Sequence, residues 1–187
     1  MLEIDVEQGS VEWLELRRTK RAASETAAVM GLSPWQKPKD IVLAKQGKQQ
    51  KSNFAMQRGQ SLEPIARQAY EEIVGMLRPA VFVNGDYLAS LDGIDFWNSL
   101  VVEIKCPVKG KESDLWKLVE MGEVPCHYKV QIQHQLMVTE LPEAHLWVFD
   151  GIDGIAVTLK SDPAIHDDIR SAWDKFWSEN EQSFFAG

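Results

Sequence analysis

Between Phe54 and Val74 the chain repeats apolar residues at spacings of three and four, with Leu62, Ile65, Ala66, Ala69 and Ile73 in one series. That period predicts a long amphipathic helix, and Glu63 falls at the edge of its stripe. The period then shortens. "RPAVFVNGDYLASLDGIDFWNSLVVEIKCP" reads as three β-rich runs, with turns predicted at "NGD", "DG" and "WNS". Three shorter helices are predicted upstream. One covers residues 11–18. The second is "SETAAVMG", with Ser24 as N-cap and Gly31 as stop, and the third is "PKDIVLAKQG", opened by Pro and closed by Gly. Residues 45–53, "KQGKQQKSN", are polar and of low complexity and read as a loop or helix end. Downstream, "DLWKLVEMG" and "CHYKVQIQHQLMVT" read as helices, "AHLWVFD" and "GIAVTLK" as strands. A closing helix over residues 162–184 carries Ile165, Ile169, Trp173, Phe176 and Trp177 on one face, which reads as packing. The order predicts a single α/β domain over residues 1–187, with a central mixed β-sheet flanked by helices.

One strand breaks its own pattern. Side chains alternate across a strand, so in "VVEIKC" Val102, Ile104 and Cys106 share a core face, while Glu103 and Lys105 share the other with Val101. An unpaired buried charge is expensive, so this second face is not plain core. It is either half-exposed, with a solvated Glu–Lys pair, or a site. The strand before it ends on Asp92, just ahead of a turn. Two adjacent strands thus bring Asp92, Glu103 and Lys105 to one end of a sheet. Two carboxylates and a backbone carbonyl such as that of Ile104 form an all-oxygen donor set of the kind Mg2+ takes. A lysine beside such an ion holds or deprotonates a water, or offsets charge building on a phosphate. Glu63 offers a further carboxylate; alone, it equally fits a surface helix position.

Composition narrows the choice. The net charge is -8, and acidic chains do not usually advertise nucleic-acid binding. Residues 1–60, however, hold 10 Lys/Arg against 7 Asp/Glu, and the remainder holds 10 against 21. Within the basic front, Arg17, Arg18, Lys20 and Arg21 form a run. Cys106 and Cys126 are the two cysteines and lack CxxC spacing. This argues against a disulfide framework, a structural zinc site or a four-cysteine cluster. No signal pattern or membrane-length apolar run is present, so the expected setting is a reducing cytoplasm.

The segments together resemble a family. "QGSVEWLELRRTKRAAS", "RGQSLEPIARQAYE", "SLDGI", "VVEIKCP" and "HYKVQIQHQLMVT" occur in that order over residues 8–150. They are similar to the blocks of the lambda-type phage exonucleases, or YqaJ-like viral recombinases, within the PD-(D/E)XK nuclease superfamily. The chain departs from the family at Leu91, where a proline is usual before Asp92, and at Ala22, where a threonine is frequent. The resemblance implies a restriction-endonuclease-like core and two Mg2+ ions, with Mn2+ as a substitute. Asp92 would bridge both metals, Glu103 and the Ile104 carbonyl would complete one, and Glu63 would serve the second. Lys105 would position and activate the water. Gln131 would hydrogen-bond Lys105 or that water, although an ordinary polar helix position is the competing reading; Gln133 points elsewhere. Arg17 and Ser24 would hold a 5′-terminal phosphate, with Ser90 near the scissile one; a solvated basic run and a simple N-cap are the competing readings for the first two. Trp13 reads as core, while Trp35 is open between core and base stacking.

The activity implied is 5′→3′ degradation of one strand of linear double-stranded DNA to mononucleotides, leaving a 3′ single-stranded tail. The implied partners are duplex DNA ends, a single-strand annealing protein and two further copies of the chain in a trimeric ring. The implied setting is a bacterial cytoplasm, with the gene carried by phage or prophage. The competing readings are a restriction- or repair-type endonuclease and a non-catalytic module that binds DNA ends.

Overall fold

The structure, a computed structural model, describes residues 1–48 and 53–184. Its elements are β1 (Leu2–Glu3), α1 (Val11–Thr19), β2 (Arg21–Ala22), α2 (Thr26–Val29), α3 (Pro38–Lys45) and α4 (Phe54–Val74). These are followed by β3 (Leu77–Asn84), β4 (Tyr87–Asp95), β5 (Val101–Lys105), α5 (Asp114–Glu120), α6 (Cys126–Thr139), β6 (Glu143–Phe149), β7 (Gly154–Lys160) and α7 (Pro163–Phe184). The strands make one mixed sheet in the order β1-β3-β4-β5-β6-β7, with β2 beside β4. Neighbours are antiparallel except β5 with β6 and β2 with β4. The α/β class and the flanked mixed sheet are as the sequence predicts. The low-complexity stretch lies partly outside the described residues, and its first residue, Lys45, ends α3 and is buried.

Helices cover both faces of the sheet. On one side Ala66 and Tyr70 of α4 pack on Leu77, Val102, Ile104, Trp147 and Phe149. On the other, Ile132 and Leu136 of α6 pack on Leu91, Val101, Leu146 and Val148. Outside α6, α7 lays Ile169, Trp173 and Phe176 against Ala28, Ile41 and Met137, so its predicted stripe is core.

The predicted face of α4 is corrected. Ile65 and Ile73 are exposed, while Ala66 and Tyr70 are buried. A small residue lets the helix approach, and the Ala66 carbonyl accepts from Trp147 Nε1 at 3.0 Å. Tyr70 stacks on the same indole at 4.3 Å between ring centres. Trp147 needs space in turn: a Cβ on Gly154 would lie 2.0 Å from its ring. The missing side chain at Gly154 therefore sets the seat of α4, the helix that carries Glu63.

The turn predicted at "DG" is also corrected. β4 runs through Asp92 and Gly93 and ends at Asp95, so Asp92 lies inside the strand. Gly93 pairs with Val102, and a Cβ there would approach the Val102 Cβ to 3.3 Å. A glycine here serves close strand contact rather than a turn. Ser24 is likewise not an N-cap. It sits in a 3-10 turn over Ala23–Glu25, and α2 begins at Thr26.

One topological feature places the site. Along one edge, β4 pairs with β2 at Tyr87 and Leu88 and with β5 at Gly93 and Ile94. Among the described residues, no strand pairs with that edge between these points, over residues 89–92. The gap opens where β5 leaves its partner.

Two outcomes follow for stability. Gly154→Ala should cost about 1–3 kcal/mol by displacing Trp147, measured by urea denaturation. His134 is fully buried, with Nδ1 2.6 Å from Thr26 Oγ1. Burial pushes its pKa down to about 3, against a weaker backbone hydrogen bond at Arg21 that raises it. The folded protein thus holds a neutral imidazole that the unfolded chain protonates below its ordinary pKa, roughly 6.5. Stability present above that pH should fall as pH drops toward 3. Melts at stepped pH should show a shallower acid loss in His134→Gln.

Candidate active site

Glu103 is the centre of the arrangement. Its side chain is turned beneath α6 and the residue is 1% exposed. A carboxylate there needs donors on both oxygens. Gln131 Nε2 donates to Oε1 at 2.5 Å, and Gln135 Nε2 donates to Oε2 at 2.5 Å. The two glutamines stand four apart on α6 and so share one face. Lys105 Nζ adds an ion pair to Oε1. Gln131 meets Glu103 here, on the same Oε1 that pairs with Lys105. Gln133 points elsewhere, as predicted, donating to the Lys160 carbonyl and accepting from Asp162 N.

Asp92 lies at the strand gap. Its Oδ2 accepts from Ile104 N at 2.8 Å, so the β5 amide is satisfied by a side chain where the β4 ladder has stopped. The Asp92 carbonyl accepts from Arg67 Nε at 2.5 Å, and Arg67 Nη2 reaches Glu63 Oε1 at 2.5 Å. One guanidinium therefore straps α4 to β4 and brings Glu63 to the same edge.

The charges are strongly interdependent. Burial first, then Glu103 and Glu63, push the Asp92 carboxyl well above its usual range, with Lys105 and the Ile104 amide opposing. Glu63 is raised by burial and by Glu103, against Arg67 and Lys105. Burial works against the Lys105 ammonium, yet Glu103 and Asp92 outweigh it and raise its pKa. The raised pKa favours the protonated, cationic form of Lys105.

Glu63, Asp92, Ile104, Lys105, Tyr128 and Gln131 line one cleft of about 720 Å3. Lys105 Nζ stands 5.4 Å from the Tyr128 ring centre. Trp35 is 68% exposed and meets His127 edge-on at 4.9 Å, so it is cleft wall rather than core. Ser24 and Trp35 also line this cleft.

The residues expected at a terminal phosphate gather behind Ser24. Arg17 Nη1 donates to Ser24 Oγ at 3.0 Å, and Nη2 pairs with Glu25 Oε1 at 2.9 Å. The Arg17 guanidinium lies 4.5 Å from the centre of the Trp13 ring. Trp13 Nε1 in turn donates to Ser90 Oγ at 2.8 Å. Trp13 is half-buried and links Ser90 to Arg17, a bridging position beyond the core role expected of it.

The site's fit to a divalent ion rests on donor chemistry. Among the described residues, no group of three or more His, Cys, Asp or Glu is gathered as a metal cage. Yet Asp92 and Glu103 are oxygen donors of the type hard cations take, and burial and mutual repulsion raise Asp92 and Glu63. A cation at this edge offsets that repulsion. Glu103 accepts from Gln131 and Lys105 on Oε1 and from Gln135 on Oε2; a carboxylate has about four lone-pair sites, so Oε2 keeps acceptor capacity for an ion.

Sequence reasoning missed Arg67, Gln135, Glu25 and Lys45. Arg67 sits four residues after Glu63, a spacing that pairs charges on a helix. Gln135 stands four after Gln131, a signal of the same kind. Glu25 and Lys45 meet only through tertiary structure.

Known structures place this architecture. An alkaline exonuclease from Laribacter hongkongensis, LHK-Exo, superposes with a TM-score of 0.74 at 25% identity over 94% of each chain. LHK-Exo in complex with dAMP gives 0.76 at 25% identity over 94% of each chain. A phage-related exonuclease from Haemophilus somnus 129PT gives 0.63 at 14% identity, over 87% of this chain and 95% of that one, and shares the fold. The sequence itself matches the YqaJ-like viral recombinase domain over residues 12–142. The chain belongs to that family. Curated proteins give no match. Among the described residues no helix is long and apolar enough to cross a membrane.

Gln135 offers a direct check on the Glu103 clamp. Among the described residues its Oε1 has no hydrogen-bond partner, and the amide nitrogen donates to Glu103 Oε2 at 2.5 Å and to the Ser90 carbonyl at 3.5 Å. Gln135→Ala should strip a donor from a buried carboxylate and cost about 1–3 kcal/mol, read by chemical denaturation. A loss below roughly 0.5 kcal/mol, the range of neutral surface changes, would mean that the clamp is not needed.

Proposed function

We propose that this chain is a metal-dependent exonuclease that degrades the 5′-ended strand of linear duplex DNA to mononucleotides and leaves a 3′ single-stranded tail. One observation carries the reading: Glu63, Asp92 and Lys105 line the same cleft as Ser24, which Arg17 backs. Family membership and the likeness to LHK-Exo, an alkaline exonuclease whose structure is also known in complex with dAMP, support it.

The residues divide the work. The Arg17 fork and the Ser24 hydroxyl suit a terminal phosphate, which carries more charge and more acceptors than an internal diester. Ser90, fixed by Trp13, keeps its own O–H free to donate toward a neighbouring phosphate. Lys105 places a positive charge where negative charge builds on phosphorus, and it orients a water. Gln131 holds Glu103 in its rotamer and so positions Lys105 through the shared Oε1. Asp92, Glu103 and the Ile104 carbonyl would hold a Mg2+ ion, with Glu63 serving a second and Mn2+ able to replace either. Such ions supply Lewis-acid stabilisation and an activated water.

The family resemblance extends the proposal to a trimeric ring around duplex DNA, a single-strand annealing protein as partner and a bacterial cytoplasm as setting.

Linear duplexes with a 5′-phosphate or a 5′-hydroxyl, and a closed circle, should be incubated with the protein and Mg2+. The expected result is mononucleotide release from linear DNA that prefers the phosphorylated end and spares the circle. Lys105→Ala should lower the rate at least ~100-fold while far-UV circular dichroism stays unchanged. Cutting of the circle would replace the exonuclease reading with an endonuclease; end binding without cleavage would leave a binding module.

A further inference from the structure

Behind Arg17 lies an ion pair that the chemistry above does not use. Lys45, the last residue of α3, is 2% exposed, and Glu25 is 6% exposed. Lys45 Nζ donates to the carbonyls of Arg17 and Lys20 and to Glu25 Oε2, each at 2.6 Å. An ammonium has three N–H donors, and here all three are engaged. Burial lowers the Lys45 pKa, with the Glu25 charge opposing. The other Glu25 oxygen holds Arg17. One carboxylate thus sits between two cations and joins α1 to α3.

The charge balance matters for a ligand. Arg17 and Glu25 alone would form a neutral pair, and an approaching phosphate would compete with a carboxylate already in place. With Lys45 the three side chains carry a net charge of one positive. Lys45 satisfies Glu25 from the buried side, and Glu25 holds the guanidinium in plane. Arg17 has five N–H donors; Ser24 and Glu25 each accept one recorded bond. The rest of the fork keeps its donor capacity beside Ser24, which is exposed and lines the cleft.

We infer that Glu25 and Lys45 are positioning residues for a terminal phosphomonoester: Glu25 sets the orientation of Arg17, and Lys45 prevents Glu25 from cancelling its charge. This rests on the exonuclease reading, but it makes a separate demand. End preference should follow the charge balance at Glu25 and Lys45, neither of which contacts the phosphate.

The experiment measures kcat/KM on 5′-phosphoryl and 5′-hydroxyl linear duplexes and takes their ratio. Thermal melts of each variant check folding. In Lys45→Met, Glu25 is left to neutralise Arg17, and the ratio should fall about tenfold, mostly through KM on the phosphorylated end. In the double variant Glu25→Gln with Lys45→Met, the three positions again carry one positive charge. The ratio should return to within about threefold of the wild type, although the Lys45 bonds remain absent. Glu25→Gln alone removes the negative charge but keeps a side-chain oxygen that can accept from Arg17, so the ratio should stay at or above the wild-type value, which preserves a test should Lys45→Met fail to fold.

A purely structural role would depress both substrates together and leave the ratio unmoved. An unchanged ratio in Lys45→Met, a double variant no better than the single, or a lower ratio in Glu25→Gln would each overturn the inference while leaving the exonuclease reading in place. A wild-type enzyme indifferent to the 5′-phosphate would overturn the Arg17 pocket, and the inference with it.

Discussion

A carboxylate almost sealed from water governs this molecule. Glu103 would be untenable under α6 as a lone charge, because the desolvation penalty of a buried ion amounts to several kcal/mol. It persists because α6 presents two amides one turn apart and β5 presents an ammonium two residues along. Those requirements reach outward. They fix the rotation of α6 over the sheet, hold Lys105 in its charged form and draw Tyr128 to the cleft wall.

The second determinant is the change of partner along β4. A continuous ladder would spend backbone groups on strand pairing. Here the Ile104 amide goes to the Asp92 carboxylate and the Asp92 carbonyl goes to Arg67. Side chains complete the sheet where strands do not, and the carboxylates are thereby crowded at one edge. Burial, and after it the neighbouring carboxylates, raise the pKa values of Asp92 and Glu63, and Arg67 and Lys105 stand close by to oppose this.

Much of this was legible in the chain. Alternation alone separated Glu103 and Lys105 from the apolar face of β5, and period alone gave α4 over its full length. The face of α4 was not legible, because the helix approaches through Ala66 and leaves the larger Ile65 and Ile73 in water. Gly93 resembled a turn signal, yet its lack of a side chain serves packing against Val102. Gln135 escaped notice because α6 is buried from Ile132 to Thr139 without a break, so no polar face marks it. Glu25 and Lys45 join separate helices, and no local pattern announces an ion pair made by tertiary folding.

The linkage from Ser90 through Trp13 to Arg17 spans most of the early chain, and the clamp on Glu103 waits for α6. Both depend on contacts between residues far apart in sequence, and such contacts pay their loop-closure entropy before they reward it. The cleft therefore exists only where these distant segments are all in place. A nascent or partly unfolded molecule has the charged residues but not their arrangement. For an enzyme proposed to degrade linear duplex DNA, this dependence acts as a safeguard: damage to the fold silences the chemistry.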